Sequence, residues 1–229
     1  MENFIYIAML LITAVVFKIV FKINFKKAKE FKEDKELEKT TDKFPENVEI
    51  AKEMLDMLGN KGVKIEEAKD TGTSLYIAVT NKISIADMKN NYARIQTITH
   101  ECLHSCQDRM LLLFNFIFSN INIIYFLVIS ILTICKVISN QMLQVAILML
   151  LMLIGFAVRS YLEIDAMTRA RFLAKEYMEK KKKVSIKEQE KLLKKYKEIN
   201  DFSIPFTIFN LLVNGFIKVL IYVVICVFI

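Results

Sequence analysis

His100 and His104 are the only histidines in this chain of 229 residues, and Glu101 lies between them. Residues on an α-helix advance by about 100° each, so the two imidazoles lie within about 40° of each other on one face. Two imidazoles one turn apart can hold one tetrahedral Zn²⁺, and a carboxylate beside them reaches a water on that ion. The spacing therefore predicts a hydrolytic zinc site.

The predicted chemistry gives each of these residues one role. His100 and His104 bind one Zn²⁺ per chain, and Glu101 acts as the general base. Zinc lowers the pKa of its water towards about 7, and the carboxylate takes the proton as the water attacks a carbonyl carbon. The alternative is a pair of surface histidines without function, and the scarcity of histidine in the chain favours the metal site.

A catalytic zinc needs a third protein ligand, and no histidine remains to provide it. Cys102 and Cys106 lie about 200° round the helix from the nearer histidine, so we expect them to pack as small apolar residues. The first carboxylates after the next two apolar stretches are Glu163 and Asp165. Glu163 is the favoured ligand and Asp165 the alternative, although each could instead pair with an arginine one turn away.

Other polar residues could support the site. Gln107 and Asp108 follow the second histidine by about one turn and could orient an imidazole. The oxyanion of the reaction also needs a stabilising group. The candidates are zinc alone, Tyr76, Tyr92, Tyr161 and Arg169.

Four apolar stretches predict transmembrane helices, at about 4–21, 110–135, 142–158 and 205–229. Each can cross a hydrocarbon core of roughly 30 Å at about 1.5 Å per residue. The first lacks a basic segment before it and a small-residue cleavage site, so it is predicted to be an uncleaved anchor.

The basic residues predict the orientation. Residues 18–109 and 159–201 carry 17 and 13 of the 32 lysines and arginines. Cytoplasmic segments retain basic residues, so we expect these two segments and the site in the cytoplasm, and both termini outside. The lipid bilayer is therefore the predicted partner of this charge, and nucleic acid is not, because no nucleic-acid-binding motif accompanies the lysines.

These observations predict a mainly α membrane protein. It has four transmembrane helices and a small cytoplasmic α+β unit. The unit is built around the helix that carries His100, Glu101 and His104, which is called the HExxH helix after their spacing. The predicted segments are an anchor (1–24), a charged linker (25–44), the α+β unit (45–109), a transmembrane hairpin (110–158), cytoplasmic helices with the third ligand (159–202) and a last span (203–229).

Local patterns predict the elements of the cytoplasmic part. A helix ends at Gly59, and "VKIEE" and "SLYIAVTNKISI" form three strands with a turn near residues 80–82. From about Asn91 the chain is helical through the motif and into the second span. Ser185 and Glu188 form a capping box for a basic amphipathic helix, which we expect to lie on anionic lipid, with a partner site as the alternative.

The chain resembles the bacterial membrane-bound neutral zinc metallopeptidases and, more distantly, the HtpX-type heat-shock and prenyl-protein endopeptidases. The resemblance covers nearly the whole chain and rests on "AKEMLDMLGNKGVKI", "HECLHSCQ", "EIDAMTRA" and "VSIKEQEKLLKKY". Leu103 replaces a common glycine of that family, and a His-Tyr-Asp-Pro segment is missing from the strand region. Both departures predict that the substrate reaches the site differently in this chain than in that family.

The resemblance implies zinc binding by His100, His104 and Glu163, with Glu101 as the base and with Asp165 and Arg169 supporting the site. We therefore predict a gluzincin-like integral membrane endopeptidase that hydrolyses membrane or membrane-proximal polypeptides, which lie along the strand before the HExxH helix. The alternative is a catalytically inactive zinc-binding membrane scaffold.

Overall fold

A computed structural model describes residues 2–20, 34–68, 73–88 and 91–229 of the chain. The elements in chain order are α1 (Glu2–Val20), α2 (Lys35–Thr41), α3 (Asn47–Met57), β1 (Lys64–Ala68), β2 (Leu75–Ile77), β3 (Lys82–Ala86), α4 (Arg94–His104), α5 (Arg109–Ile134), α6 (Gln141–Lys181) and α7 (Ile186–Phe228). A mainly helical chain with one small sheet, as predicted, is confirmed.

Two compact units divide the chain. The first unit contains the apolar segments Met1–Ile23, Phe114–Tyr161 and Pro205–Ile229. The second unit contains Asn24–Leu113 and Leu162–Ile204, and thus the HExxH helix and both candidate acidic ligands.

Three of the described helices, α5, α6 and α7, are long and apolar enough to cross a membrane, with 26, 41 and 43 residues. They correspond to the last three predicted spans. The predicted N-terminal anchor corresponds to α1, whose apolar part, Ile7–Val20, is shorter than these three helices. Because α6 and α7 continue without a break beyond the apolar stretches, each contributes residues to both units.

The first unit is held together by apolar side chains and by a few buried polar contacts. Its buried cluster contains Ile129, Val145, Leu148, Met152, Val219, Tyr222, Val223 and Cys226. Within it, the hydroxyls of Tyr222 and Thr133 lie 2.9 Å apart and join α7 to α5. A Cβ atom on Gly215 would lie 2.2 Å from Cγ of Met152, so a larger residue would require the Met152 side chain to move.

Helix α3 ends at Met57, two residues before the Gly59 at which its end was predicted. Gly59 has a φ of 70°, in the left-handed region that glycine adopts without strain. The N–H of Asn60 then donates to the carbonyl oxygen of Leu55 at 2.9 Å, which satisfies the end of the helix. The Asn60 side chain also donates to the carbonyl of Ser105 at 2.9 Å, so this turn contacts the residue that follows α4.

The three predicted strands form one sheet in the order β1-β3-β2. β1 is parallel to β3, with Ile65 opposite Ile83, and β2 is antiparallel to β3, with Tyr76 also opposite Ile83. The central strand β3 buries Ile83 and Ile85 almost completely. β2 is therefore an edge strand. In the chain it is followed by β3 and then by α4.

The segment predicted to be a charged linker differs from that prediction where it is described. Residues 35–41 form α2, and Leu37 and Phe44 are buried in the core of the second unit. Two ion pairs of 2.6 Å join this region to α7, between Lys43 and Glu188 and between Glu36 and Lys191. The two apolar side chains have no helical period in the sequence, so the pattern gave no sign of α2.

The basic amphipathic helix is the first part of α7. Its predicted capping box is present, since the Glu188 carboxylate accepts from the N–H of Ser185 at 2.8 Å. Leu192 and Tyr196 on its apolar face have no exposed surface and pack in the core of the second unit. This face therefore contacts protein, whereas the sequence predicted that it contacts lipid.

Candidate metal centre

A buried arginine fixes the beginning of α4. Arg94, its first residue, is only 1% exposed. Its guanidinium donates to the carbonyl oxygens of Thr41, Phe44 and Pro45 and to the side-chain oxygen of Asn47. Burial lowers the pKa of Arg94, although the nearby carboxylates of Asp42 and Glu46 act in the opposite direction. These bonds attach the HExxH helix to the turn between α2 and α3.

A second buried contact joins α4 to the helix of the third ligand. The Gln96 side chain donates to Oδ1 of Asn200 at 2.6 Å, and Nδ2 of Asn200 donates to the carbonyl of Met167 at 2.8 Å. Asn200 belongs to α7 and Met167 to α6. This chain of bonds therefore limits sliding of α6 along α4.

The two imidazoles and one carboxylate converge at one point. Nε2 of His104 lies 3.0 Å from Nε2 of His100. Oε2 of Glu163 lies 3.5 Å from Nε2 of His100 and 3.7 Å from Nε2 of His104. Among the described residues, no other group of three such side chains comes within metal-binding distance. All three residues are partly buried.

This donor set fits zinc. A tetrahedral zinc with nitrogen and oxygen bonds of about 2.0–2.1 Å separates neighbouring ligand atoms by about 3.4 Å. The three distances of 3.0, 3.5 and 3.7 Å bracket that value. Three atoms that carry lone pairs repel one another at this separation unless a proton or a cation lies between them. Two imidazoles and one carboxylate also leave a fourth corner for water or substrate.

Glu101 lies beside these ligands but is held by the sheet. Glu101 is 7% exposed, and its Oε2 accepts a hydrogen bond of 2.7 Å from the backbone N–H of Tyr76 in β2. The edge strand and the HExxH helix are therefore joined at the predicted base. No pattern in the sequence indicates this contact, because the donor is a backbone group.

The protein groups around the site shift the pKa values of Glu101, His104 and Glu163, and the two imidazoles lower that of Glu163 despite its burial. Burial raises the pKa of Glu101, while His100, His104 and the Tyr76 N–H lower it in part. Burial alone would lower the pKa of His104, but the Glu163 carboxylate, 3.7 Å away, and the Gln107 side chain outweigh burial and raise it. A carboxylate with a raised pKa accepts a proton more readily, which suits a general base.

Gln107 and Asp165 lie next to the ligands. Oε1 of Gln107 lies 2.8 Å from Nδ1 of His104. Nε2 of Gln107 donates to the carbonyl oxygen of Leu162 at 2.8 Å and to Oδ2 of Asp165 at 2.9 Å. Arg169 is 3.4 Å from the same Asp165 oxygen. Asp165 thus contacts Gln107 and Arg169, and it does not belong to the converging ligand group.

Asp108 has a different position from the one predicted. The helix does not continue from the motif into the second span, because α4 ends at His104 and α5 begins at Arg109. Oδ1 of Asp108 accepts from the N–H of Leu111 at 2.7 Å, which caps the start of α5. The interruption turns Gln107 back towards His104.

The cysteines and Leu103 face away from the ligands. Cys102 packs as predicted: it has no exposed surface, and its sulfur lies 3.7 Å from the carbonyl of Ala51 in α3. Cys106 is exposed, so the prediction that it packs in the interior is wrong. Leu103 is 1% exposed and packs against Ala166 and Ala170 of α6. The residue that replaces the glycine of the resembled family therefore fills the core and does not obstruct the ligands.

Two of the candidate oxyanion groups are engaged elsewhere. The Tyr76 hydroxyl donates to Oδ1 of Asn81 at 2.9 Å, and Tyr92 is 1% exposed in the core. Arg169 is half-exposed beside Asp165.

A comparison with protein families finds one matching model. The model carries the description "putative neutral zinc metallopeptidase" and matches residues 4–196, which include all the residues of the candidate site. No curated protein and no solved structure matches the chain.

Proposed function

Since the chain belongs to the family of neutral zinc metallopeptidases, we propose that it is an integral membrane endopeptidase. His100, His104 and Glu163 hold its Zn²⁺ in a gluzincin-like arrangement, and Glu101 is the general base. One observation carries this proposal. The ligand atoms of the first three residues lie within 4.8 Å of one another, and Glu101 is buried next to them.

Bound zinc supplies a Lewis acid that polarises the scissile carbonyl and lowers the pKa of water. The chain's own residues move the proton. Oε2 of Glu101 is engaged by the N–H of Tyr76, so Oε1 is the oxygen that takes the proton of the attacking water. The same carboxyl then gives the proton to the leaving nitrogen of the peptide bond.

The substrate lies along β2. Since the N–H of Tyr76 donates to Glu101, it faces away from β3, and in an antiparallel strand the carbonyl of the same residue faces the same way. An extended polypeptide that follows this edge would bring a peptide bond close to Glu101. If proline substitutions at alternate positions of β2 leave peptide cleavage unchanged, this part of the proposal fails.

The membrane assignment rests on α5, α6 and α7, which are long and apolar enough to span a bilayer. The distribution of basic residues supports a cytoplasmic site and termini outside the cell. Substrates are therefore membrane proteins or polypeptides close to the membrane.

The test measures zinc content and cleavage of a loosely folded polypeptide, using the full chain in detergent or lipid discs. The variants are wild type, Glu101→Gln and the control Glu67→Gln, an exposed residue of β1. We expect about one zinc per chain in all three, with cleavage by the wild type and the control alone. Zinc without wild-type cleavage over a broad substrate panel would instead indicate an inactive scaffold, and absence of zinc would reject both.

A further inference from the structure

We propose that Gln107 is a positioning residue that couples the two halves of the metal site. Its side-chain amide sets the tautomer of His104 and at the same time fixes the turn of α6 that carries Glu163. This inference rests on the proposed zinc site, but it can be tested without any peptidase activity.

The surroundings of Gln107 determine which way its amide points. Two acceptors lie on one side of it, the carbonyl oxygen of Leu162 at 2.8 Å and Oδ2 of Asp165 at 2.9 Å. If the amide were turned over, its oxygen would face both acceptors and would be repelled by them. The NH₂ group must therefore face α6, and the amide oxygen must face the imidazole of His104.

This orientation determines where His104 carries its proton. The amide oxygen of Gln107 accepts only, so Nδ1 of His104, at 2.8 Å, must be the donor. A neutral imidazole that is protonated on Nδ1 has its lone pair on Nε2. That is the nitrogen which lies beside Nε2 of His100 and Oε2 of Glu163. Gln107 thus directs the lone pair of His104 to the metal position.

The same side chain holds the third ligand. Leu162 and Asp165, the two residues of α6 that accept from Gln107, flank Glu163 in the sequence. Asp165 is also paired with Arg169, which keeps its carboxylate in place. A change at residue 107 therefore affects an imidazole on α4 and a carboxylate on α6 together.

The two histidines differ in the hydrogen bonding of their Nδ1 atoms. Among the described residues, Nδ1 of His100 has no hydrogen-bond partner, whereas Nδ1 of His104 has Gln107. His100 is consequently an internal reference for any measurement on His104. Since the chain has only these two histidines, a spectrum of histidine nitrogens contains no other signals.

Two substitutions distinguish the hydrogen bond that the Gln107 amide accepts from the two that it donates. Gln107→Met keeps the approximate volume and removes both functions. Gln107→Glu keeps an acceptor for His104 but loses the two hydrogens that bind α6, and it places a negative charge beside Asp165. Gln189→Met, the same exchange in α7 away from the site, serves as the matched control.

The experiment uses the full chain with ¹⁵N-labelled histidine in lipid discs, loaded with zinc and also metal-free at a pH where the imidazoles are neutral. The readouts are the tautomer of each imidazole, the exchange rate of its ring N–H with water, and zinc release to a chelator of known affinity.

In the wild type and the Gln189→Met control, we expect His104 to be protonated on Nδ1 with an N–H that exchanges slowly. In Gln107→Met, the N–H of His104 should exchange at least about tenfold faster while that of His100 is unchanged, and zinc affinity should fall about 10–100-fold. Gln107→Glu should restore slow exchange at His104 but not zinc affinity, which a purely structural role would not produce.

Two results would overturn the inference. One is a Gln107→Met protein with wild-type exchange at His104 and wild-type zinc affinity. The other is equal acceleration at His100 and His104, which would indicate general loosening of the unit. If the wild type bound no zinc, the proposed function would fail, but the tautomer of His104 in the metal-free protein would still decide the role of Gln107.

Discussion

The backbone N–H of Tyr76 donates a 2.7 Å hydrogen bond to the Glu101 carboxylate, which places the predicted base in contact with the edge strand of the sheet. This bond fixes one carboxylate oxygen and leaves the other available for proton transfer. The side chain of Tyr76 is not involved, since its hydroxyl bonds to Asn81. The backbone and side-chain contributions of this residue can therefore be tested separately.

Tyr76→Pro should lower kcat/KM by about one to two orders of magnitude, within the roughly 10²–10⁴-fold contribution of a general base. Proline removes the N–H that orients Glu101, and an edge strand tolerates it because this N–H is not used in pairing with β3. Zinc content should not change. Tyr76→Phe, which keeps the N–H, is the control, and an equal loss of kcat/KM in both variants would contradict the prediction.

The choice of third ligand can be tested with two alanine variants. Glu163→Ala removes a converging oxygen, so we expect it to weaken zinc binding by more than the roughly 10–100-fold typical of supporting residues. Asp165→Ala leaves the three ligands in place and should fall within that range. The measurement is competition for zinc with a chelator of known affinity. A greater loss in Asp165→Ala than in Glu163→Ala would reverse the assignment.

Leu103→Gly should destabilise the protein without opening the site. The leucine fills a buried position against Ala166 and Ala170, so its loss creates a cavity and adds a glycine to α4. Together these effects cost about 3–6 kcal/mol in the free energy of unfolding. Thermal unfolding followed by circular dichroism measures the effect, with Ile186→Ala, 78% exposed, as the control. Equal melting temperatures for the two variants, or a faster Leu103→Gly enzyme, would contradict the prediction.

Two exposed cysteines report the membrane orientation. Cys135 follows the end of α5, in the connection to α6, and Cys106 lies just after α4; both are exposed. The proposed topology puts Cys135 outside and Cys106 in the cytoplasm. A membrane-impermeant maleimide should label Cys135 in intact cells and Cys106 only after permeabilisation. Cys135→Ser and Cys106→Ser identify each signal, and the opposite labelling pattern would reverse the topology.

The sequence was sufficient for the parts of the site that depend on spacing along one helix. His100, Glu101 and His104 share one face because of the helical period, and Glu163 is the first carboxylate that a returning hairpin brings back. The Tyr76 contact was not predictable, since every residue has a backbone N–H and the pairing of strands decides where it points. The position of Asp108 depended on where α4 ends, and no residue pattern marks that interruption.

In the fold, too, the features that depend on nearby residues were predictable and those that depend on distant partners were not. Gly59 and the strand alternation correctly predicted α3 and the sheet, because backbone geometry and burial act locally there. Helix α2 was missed because Leu37 and Phe44 gain their burial from partners far along the chain. The apolar face of Leu192 and Tyr196 was visible, but periodicity indicates that a face is covered and does not identify what covers it.

The ion pair between Glu36 and Lys191 joins residues 155 positions apart, and the Gln96–Asn200 bond spans 104 positions. Each contact can therefore form only after the later of its two residues has been synthesised. The HExxH segment is synthesised well before Asn200, so the nascent chain first carries its two histidines without this hydrogen bond. A chain released before residue 163 would carry the paired imidazoles without the Glu163 carboxylate beside them.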